Sequence, residues 1–335
     1  MDDIITLAYG SGGKKTAELI GELLLPAFGN DILGELGDGA ILPAEAGERL
    51  VMSTDSFVVT PYFFPGGDIG KLSVCGTVND IAVSGGEPKY LSLAVILEEG
   101  IPTEDVRRIV RSIADTAKRA RVRIVTGDTK VVEHGKADGI FINTTGIGVL
   151  RHPGLSPKAI REGDVVLVSG TVGDHGTCVM LARNENLLRS GIASDCAPLF
   201  ELTKTLRPLG TDLRVMRDPT RGGVATTLNE FTEGTGLTIE LDETAIPVKK
   251  EVRSASDILG LDPLYSANEG KILAVVAPER ADEALRLLRT VPEGKDAAAI
   301  GRVTSSHPGK VVVRTPYGGS RIVIKLAGAQ LPRIC

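Results

Sequence analysis

The chain has 335 residues, room for about two domains, and its 42% hydrophobic and 24% charged residues are those of a folded globular protein, not a disordered one. Its 38 basic and 43 acidic residues give a net charge of -5, which excludes a broad basic surface for nucleic acid or anionic lipid. Aromatics at 4% with no Trp exclude base stacking as the main activity, and four cysteines with no CxxC pair exclude a disulfide scaffold.

The chain begins MDDIITLAYGSGG, with two acidic residues where a secretory leader carries basic ones, so the expected compartment is the reducing cytoplasm. No apolar run approaches the roughly 18 to 20 residues of a membrane span. After the glycine-rich stretch, Leu19, Ile20, Leu23 and Leu24 start an amphipathic pattern. Strand patterns follow at 50–54 and 90–97. Val106, Ile109, Val110, Ile113, Ala114 and Ala117 predict one face of a helix over 103–120. Two further strand patterns, at 123–126 and 139–150, complete a first α/β unit over residues 1–150.

The segment RHPGLSPKAIREGD (151–164), with its two prolines, reads as a linker. A second α/β unit is expected to run to 326, with strands at 165–170, 271–277, 310–315 and 321–326. Helical patterns lie near 176–191, 197–206, 222–233 and 279–290. The remaining residues, 327–335 (AGAQLPRIC), have little apolar periodicity and predict a mobile tail.

Four features carry chemistry. GSGGKKT (10–16), with Gly12, Gly13 and Lys14, offers backbone N–H groups and a helix N-terminus to a phosphate, although its spacing is not that of a P-loop. It reads equally as an ordinary loop. Asp38 in LGDGA, Asp55 in STDSF, Asp80 in TVNDIA and Asp128 in VTGDTK form a series of hard oxygen ligands suited to Mg²⁺ and the phosphates it carries. Each alone reads as a turn or cap residue. DPTRGGV (218–224) supplies a cation at Arg221, and SANEGK (266–271) puts Glu269 at a strand entrance as a general base or a cation partner. Both motifs also read as plain turns. Cys335 is the last residue, a nucleophile free to visit more than one site, or else an inert exposed thiol. Cys75, Cys178 and Cys196 read as packing residues, and the four scattered histidines lack zinc-ligand spacing.

Taken in order along nearly the whole chain, these motifs resemble the ATP-binding superfamily of aminoimidazole ribonucleotide synthetase, selenophosphate synthetase and thiamine-monophosphate kinase. Within it, the terminal LPRIC, together with GSGGKKT, TVNDIAVSGGEPKYLSLA, GDTKVVE and DPTRGGVATTLNE, is similar to the hydrogenase-maturation carbamoyl dehydratase (HypE) family. The resemblance implies an α/β fold of two domains with mixed sheets, the N-terminal sheet forming a barrel across a homodimer. It places Asp38, Asp55, Asp80 and Asp128 at Mg²⁺ and the phosphates, with Asn79, Gly127 and Asp218 also at the ATP. It further implies that Cys335 receives a carbamoyl group from a HypF-like carbamoyltransferase. Dehydration to a thiocyanate would follow, with the cyano group passed to a HypC–HypD-like iron scaffold as a ligand for the [NiFe] hydrogenase iron.

The chemistry agrees: oxide cannot leave a thiocarbamate, so ATP must convert the oxygen to phosphate, while a base takes the nitrogen protons. Glu269 is the first candidate base, and Lys130 the candidate to polarise the oxygen or steady the γ-phosphate. Two other readings compete. A selenophosphate synthetase-like enzyme carries a reactive Cys or selenocysteine near the glycine-rich loop, which this chain lacks. A thiol carrier without catalysis leaves the aspartate series unexplained.

Overall fold

Residues 1–6, 9, 18–32, 47–183, 191–325 and 334–335 are described by a computed structural model. Gly12, Gly13, Lys14 and Asp38 lie outside the described residues.

The apolar patterns of the first half form a four-stranded sheet of β1 (Leu50–Phe57), β2 (Gly86–Glu98), β3 (Arg123–Val132) and β4 (Ile140–Leu150), in the order β1-β4-β2-β3. β4 is antiparallel to both its neighbours, whereas β2 and β3 are parallel. A parallel pair needs a crossover, and α2 (Thr103–Ala120) supplies it. That helix buries Val106, Ile109, Val110, Ile113 and Ala117, the stripe expected from the sequence. Its first turn holds Glu104 and Asp105 and its last Lys118 and Arg119, the signs that favour the helix dipole.

The preceding helix, α1 (Ile69–Val83), has no polar face: only Lys71 and Asp80 escape full burial. Such a helix has to be covered on every side. It lies on β1, β2 and β4 and meets α2 and α4 (Phe200–Thr205) of the second half. Asp68 starts it by accepting from the N–H groups of Gly70 (2.7 Å) and Lys71 (3.0 Å).

The second half is a seven-stranded sheet: β5 (Val165–Val168), β6 (Leu213–Arg217), β7 (Thr238–Asp242), β8 (Leu273–Val276), β9 (Ala298–Thr304), β10 (Val311–Arg314) and β11 (Ser320–Val323). The order is β11-β10-β7-β9-β5-β8-β6, antiparallel except between β7 and β10. Helix α5 (Gly223–Thr232) covers one face, packing Val224, Leu228 and Phe231 on Val166, Val215 and Val275. α4 and α7 (Ala281–Leu288) cover the other, with Leu202, Ala284 and Leu288 on Leu167 and Ala274. Burial on both faces explains why VVLV and LAVV are unbroken apolar runs. Helices α3 (Asp174–Arg183) and α6 (Lys250–Leu259) complete the unit.

Several elements differ from expectation. Strands β6, β7 and β9 and helix α6 were not anticipated, because charged residues interrupt their apolar pattern. Arg214 in β6 is buried against Asp164 (3.2 Å), and Glu240 in β7 pairs with Arg314. The helix expected over 176–191 is described only to Arg183, since 184–190 lie outside the described residues. The 151–164 connection is exposed along half its length and anchored by buried His152, Ile160 and Asp164, with Arg161 N–H donating to the Asp164 carboxylate at 2.8 Å. None of the described helices is long and apolar enough to cross a membrane.

Candidate functional site

The last two residues of the chain are seated between the halves. Ile334 is buried in the N-terminal core, and its carbonyl oxygen accepts a hydrogen bond from His175 Nε2 at 2.7 Å. The terminal Cys335 oxygen accepts from Val58 N–H at 3.2 Å, just beyond β1. Arg221 Nε donates to Cys335 Sγ at 3.3 Å. The tail expected to be mobile therefore has a docked end; residues 326–333, including most of LPRIC, lie outside the described residues.

Two sequence motifs build the wall around the sulfur. Asn268 joins them: its Nδ2 donates to Pro219 O (3.1 Å) and Ser266 O (3.0 Å), and its Oδ1 accepts from Gly173 N–H at 2.8 Å. Gly223 follows Arg221 with φ +59°, and a Cβ there would lie 2.5 Å from the carbonyls of Leu264 and Ser266. Only glycine lets the two loops close to this distance. Gly270 is equally constrained, since its Cβ would stand 1.8 Å from Asp195 O. Asp195 in turn accepts from the N–H groups of Glu269 and Gly270 and from Lys271 Nζ, each at 3.2 Å. Burial opposes the Asp195 charge, but Lys271 and the Glu269 N–H outweigh it and hold its pKa below the usual carboxylate range.

This frame aims Glu269 inward. It is only 2% exposed, and its Oε1 has no hydrogen-bond partner among the described residues. Burial pushes its pKa well above the usual range, reinforced by Cys196, Asp218, Asp195 and Asp55. Asp218 follows the same logic: burial and then Asp80 push it up to about 7. Asp80 is raised by burial and by Asp55, against the hydrogen bond from Ser53 Oγ at 2.6 Å. Asp55 accepts from Thr77 Oγ1 at 2.9 Å. Burial and Glu269 push the Cys335 thiol up, with Arg221 pulling the other way. The region thus gathers acidic groups whose charges are unfavourable until a cation joins them.

The expected residues divide into two sets. Cys335, Glu269, Asp218, Asp55 and Asp80 come together. Asp128, Gly127 and Lys130 do not join them within one chain, because β3 and β1 are opposite edges of the sheet. Three strand spacings separate them, about 14 Å. The strand register also puts Asp128 and Lys130 on the face opposite to Asp55. They pair with each other at 3.1 Å, each 62% exposed. The side chain of Asn79 is held within the fold: Nδ2 donates to Ala197 O (3.1 Å) and Glu269 O (3.4 Å), and Oδ1 accepts from Leu199 N–H at 2.8 Å. Its side chain ties α1 to the loops of the second half. Among the described residues, no three His, Cys, Asp or Glu side chains form a ready-made metal set.

Sequence reasoning passed over His175, Ser194, Asp195 and Val58. His175 and Ser194 sit in no recognisable motif, and Val58 acts through its backbone. Arg221 was visible as a cation in DPTRGGV but read as a turn residue. Cys75, Cys178 and Cys196 are free and buried, as expected of packing residues.

Comparison with known proteins gives a consistent picture. Residues 36–150 match the family described as AIR synthase related protein, N-terminal domain, and 161–314 match its C-terminal domain. The carbamoyl dehydratase HypE of Cupriavidus necator is 49% identical over 332 residues, spanning 99% of this chain and 95% of that protein. A crystal structure of hydrogenase maturation protein HypE in complex with ATP has a TM-score of 0.94 at 47% identity, over 98% of this chain and 99% of the other. A chain of a HypE–HypF complex has a TM-score of 0.80 at 49% identity, over 92% and 99%.

Proposed function

The chain belongs to the HypE family of carbamoyl dehydratases of hydrogenase maturation, with the two-domain AIR synthase-related fold, and we propose that it works on a carbamoyl group carried by its own Cys335. The observation that carries this reading is the seated terminus. The sulfur of the partly buried Cys335 is held by Arg221 beside the buried Glu269, one of whose carboxylate oxygens has no partner among the described residues.

Dehydration of –S–C(=O)–NH₂ to –S–C≡N removes one oxygen and two N–H protons. Transfer of the ATP γ-phosphoryl group to the carbamoyl oxygen makes that oxygen part of a phosphate leaving group. The C–O bond then breaks as the nitrogen protons depart, and carbon and nitrogen gain the two further bonds of the cyano group. Glu269 takes a nitrogen proton; a carboxylate whose pKa is lifted by burial is the stronger base once ionised. Arg221 steadies the sulfur end of the reacting group.

The donor set fits Mg²⁺. Asp55 and Asp80 present hard oxygens, and the burial that raises Asp80 and Asp218, with repulsion from Asp55 and Asp80 respectively, is a cost a divalent cation relieves. Mg²⁺ typically takes one or two carboxylates with phosphates filling the other positions, which Asp55 and Asp80 can supply. When bound it would neutralise charge on the transferring phosphoryl group. The glycine-rich loop with Gly12, Gly13 and Lys14, and Asp38, remain the expected further contacts to the nucleotide and metal.

The first sheet supports a homodimer. Leu50 (59% exposed) and Met52 (69%) on β1, with Ile96 on β2, form an open apolar face. Asp128 and Lys130 share that face, at its other edge. A second copy closing a barrel covers the apolar surface and carries its β3, with Gly127, Asp128 and Lys130, towards β1 of the first. Lys130 then reaches the reacting group only from the partner subunit.

The carbamoyl donor is a HypF-like carbamoyltransferase, in keeping with the relative solved as a HypE–HypF complex. The cyano acceptor is a HypC–HypD-like iron scaffold, and the setting is the cytoplasm. Intact mass after incubation with carbamoyl phosphate, ATP and the transferase tests the reading. Cys335 should gain about 43 Da and then fall to about 25 Da above the start. A pure thiol carrier stops at the first mass.

A further inference from the structure

His175 is a fully buried polar side chain that takes no part in the chemistry above. Its ring stands edge-on to Phe64, with centroids 5.4 Å apart at 85°. Because a carbonyl oxygen can only accept, the 2.7 Å contact with Ile334 O places the ring proton on Nε2. Nδ1 then accepts from the Ser194 hydroxyl at 2.8 Å, and Ser194 Oγ accepts from Cys196 N–H at 3.1 Å. Ser194 is itself pinned by its N–H to Pro65 O at 2.8 Å. The imidazole is therefore fixed in one tautomer and one orientation, with a single donor pointed at the terminal segment.

We propose that His175, oriented by Ser194, is a positioning residue that seats the terminal Ile334–Cys335 dipeptide, and that this seat sets whether Cys335 faces Arg221 and Glu269 or is released to the partner proteins. The proposal rests on the carbamoyl-carrier reading of Cys335. Its physical content lies in which atoms are gripped. His175 holds the Ile334 carbonyl, Val58 N–H holds the terminal oxygen, and the buried Ile334 side chain fills the core beneath. None of these contacts touches sulfur. Thiol, carbamoyl and cyano forms are held alike, whereas Arg221 binds the sulfur and senses what it carries. On release, the buried Nε2–H loses its acceptor, a cost that favours the seated state.

Alkylation of Cys335 by iodoacetamide, read by mass on the full chain, reports release without any need for the reaction. His175→Leu should raise that rate about tenfold, the size of one lost buried hydrogen bond. It should slow single-turnover dehydration of the carbamoylated chain by a similar factor, yet leave carbamoyl uptake from the transferase undiminished. His175→Gln, which keeps an N–H donor, should restore much of the difference. Ser194→Ala should move both readouts the same way by a smaller factor, and decides the matter if His175→Leu does not fold. Wild-type alkylation rates in the folded variants overturn the proposal, as does equal slowing of uptake and dehydration. If the wild-type chain takes up no carbamoyl group, the carrier reading fails while the alkylation rates still judge the seat.

Discussion

The two groups of acidic residues in the N-terminal half look the same in sequence, each an aspartate beside a small polar residue or glycine, but their surroundings differ. Asp55 and Asp80 face the buried site between the halves, where burial raises Asp80 and, across the cleft, Asp218. Asp128 lies at the opposite edge and on the opposite face of the sheet, exposed and paired with Lys130. Placement between the two halves or at an exposed sheet edge decides whether an aspartate meets burial and like charge or is simply hydrated. On the proposed reading, the buried set would take a cation and the reacting group, and the exposed set would serve a second copy.

The sharpest way to break this contrast is at the centre of the buried region. Cys335→Ala should abolish carbamoyl uptake entirely while leaving the melting temperature unchanged, read by intact mass and thermal unfolding. A retained carbamoyl label would move the reacting atom elsewhere. Glu269→Gln keeps the shape of a side chain whose neutral form burial already favours, so folding and uptake should survive. Dehydration should fall by about 100-fold or more, the typical loss on removing a general base.

Mixed dimers sharpen the comparison between the sets. Asp80→Ala and Asp128→Ala should each disable ATP-dependent dehydration alone. A heterodimer of the two should recover up to half the wild-type turnover, because one of its sites keeps Asp80 from one protomer and Asp128 from the other. No recovery would place both residues in the same site of one chain. The smallest effect is on stability. Asp218 binds its proton in the folded state up to about pH 7 but releases it near pH 4 when unfolded. Stability should therefore fall as pH rises between those values. The melting temperature should drop by a few degrees from pH 5 to 7.5, and Asp218→Asn or added Mg²⁺ should flatten the drop. An unchanged slope in Asp218→Asn would remove Asp218 from the account.

How much of this was legible in the sequence depends on what each residue does. Helix α2 was readable to its ends because one apolar face repeats without interruption. Strands β6, β7 and β9 were hidden by Arg214, Glu240 and Arg302, charges that tertiary pairing or solvent exposure accommodates but that a pattern cannot foresee. Cys335 and Glu269 were legible through motifs that carry their own chemistry. His175 was not, since its role depends on a carbonyl 159 residues away. The hydrogen bonds of Asn79 were hidden for a related reason: its neighbour Asp80 faces the site, while its own amide satisfies backbone groups of the second half.

The central claim is that the carbamoyl oxygen on Cys335 departs as phosphate. Carbamoylated protein bearing ¹⁸O in the carbonyl, given ATP for a single turnover, tests it most directly. The label should appear in inorganic phosphate as the Cys335 mass falls to that of the cyano form. Label released into water, with unlabelled phosphate, would contradict the account.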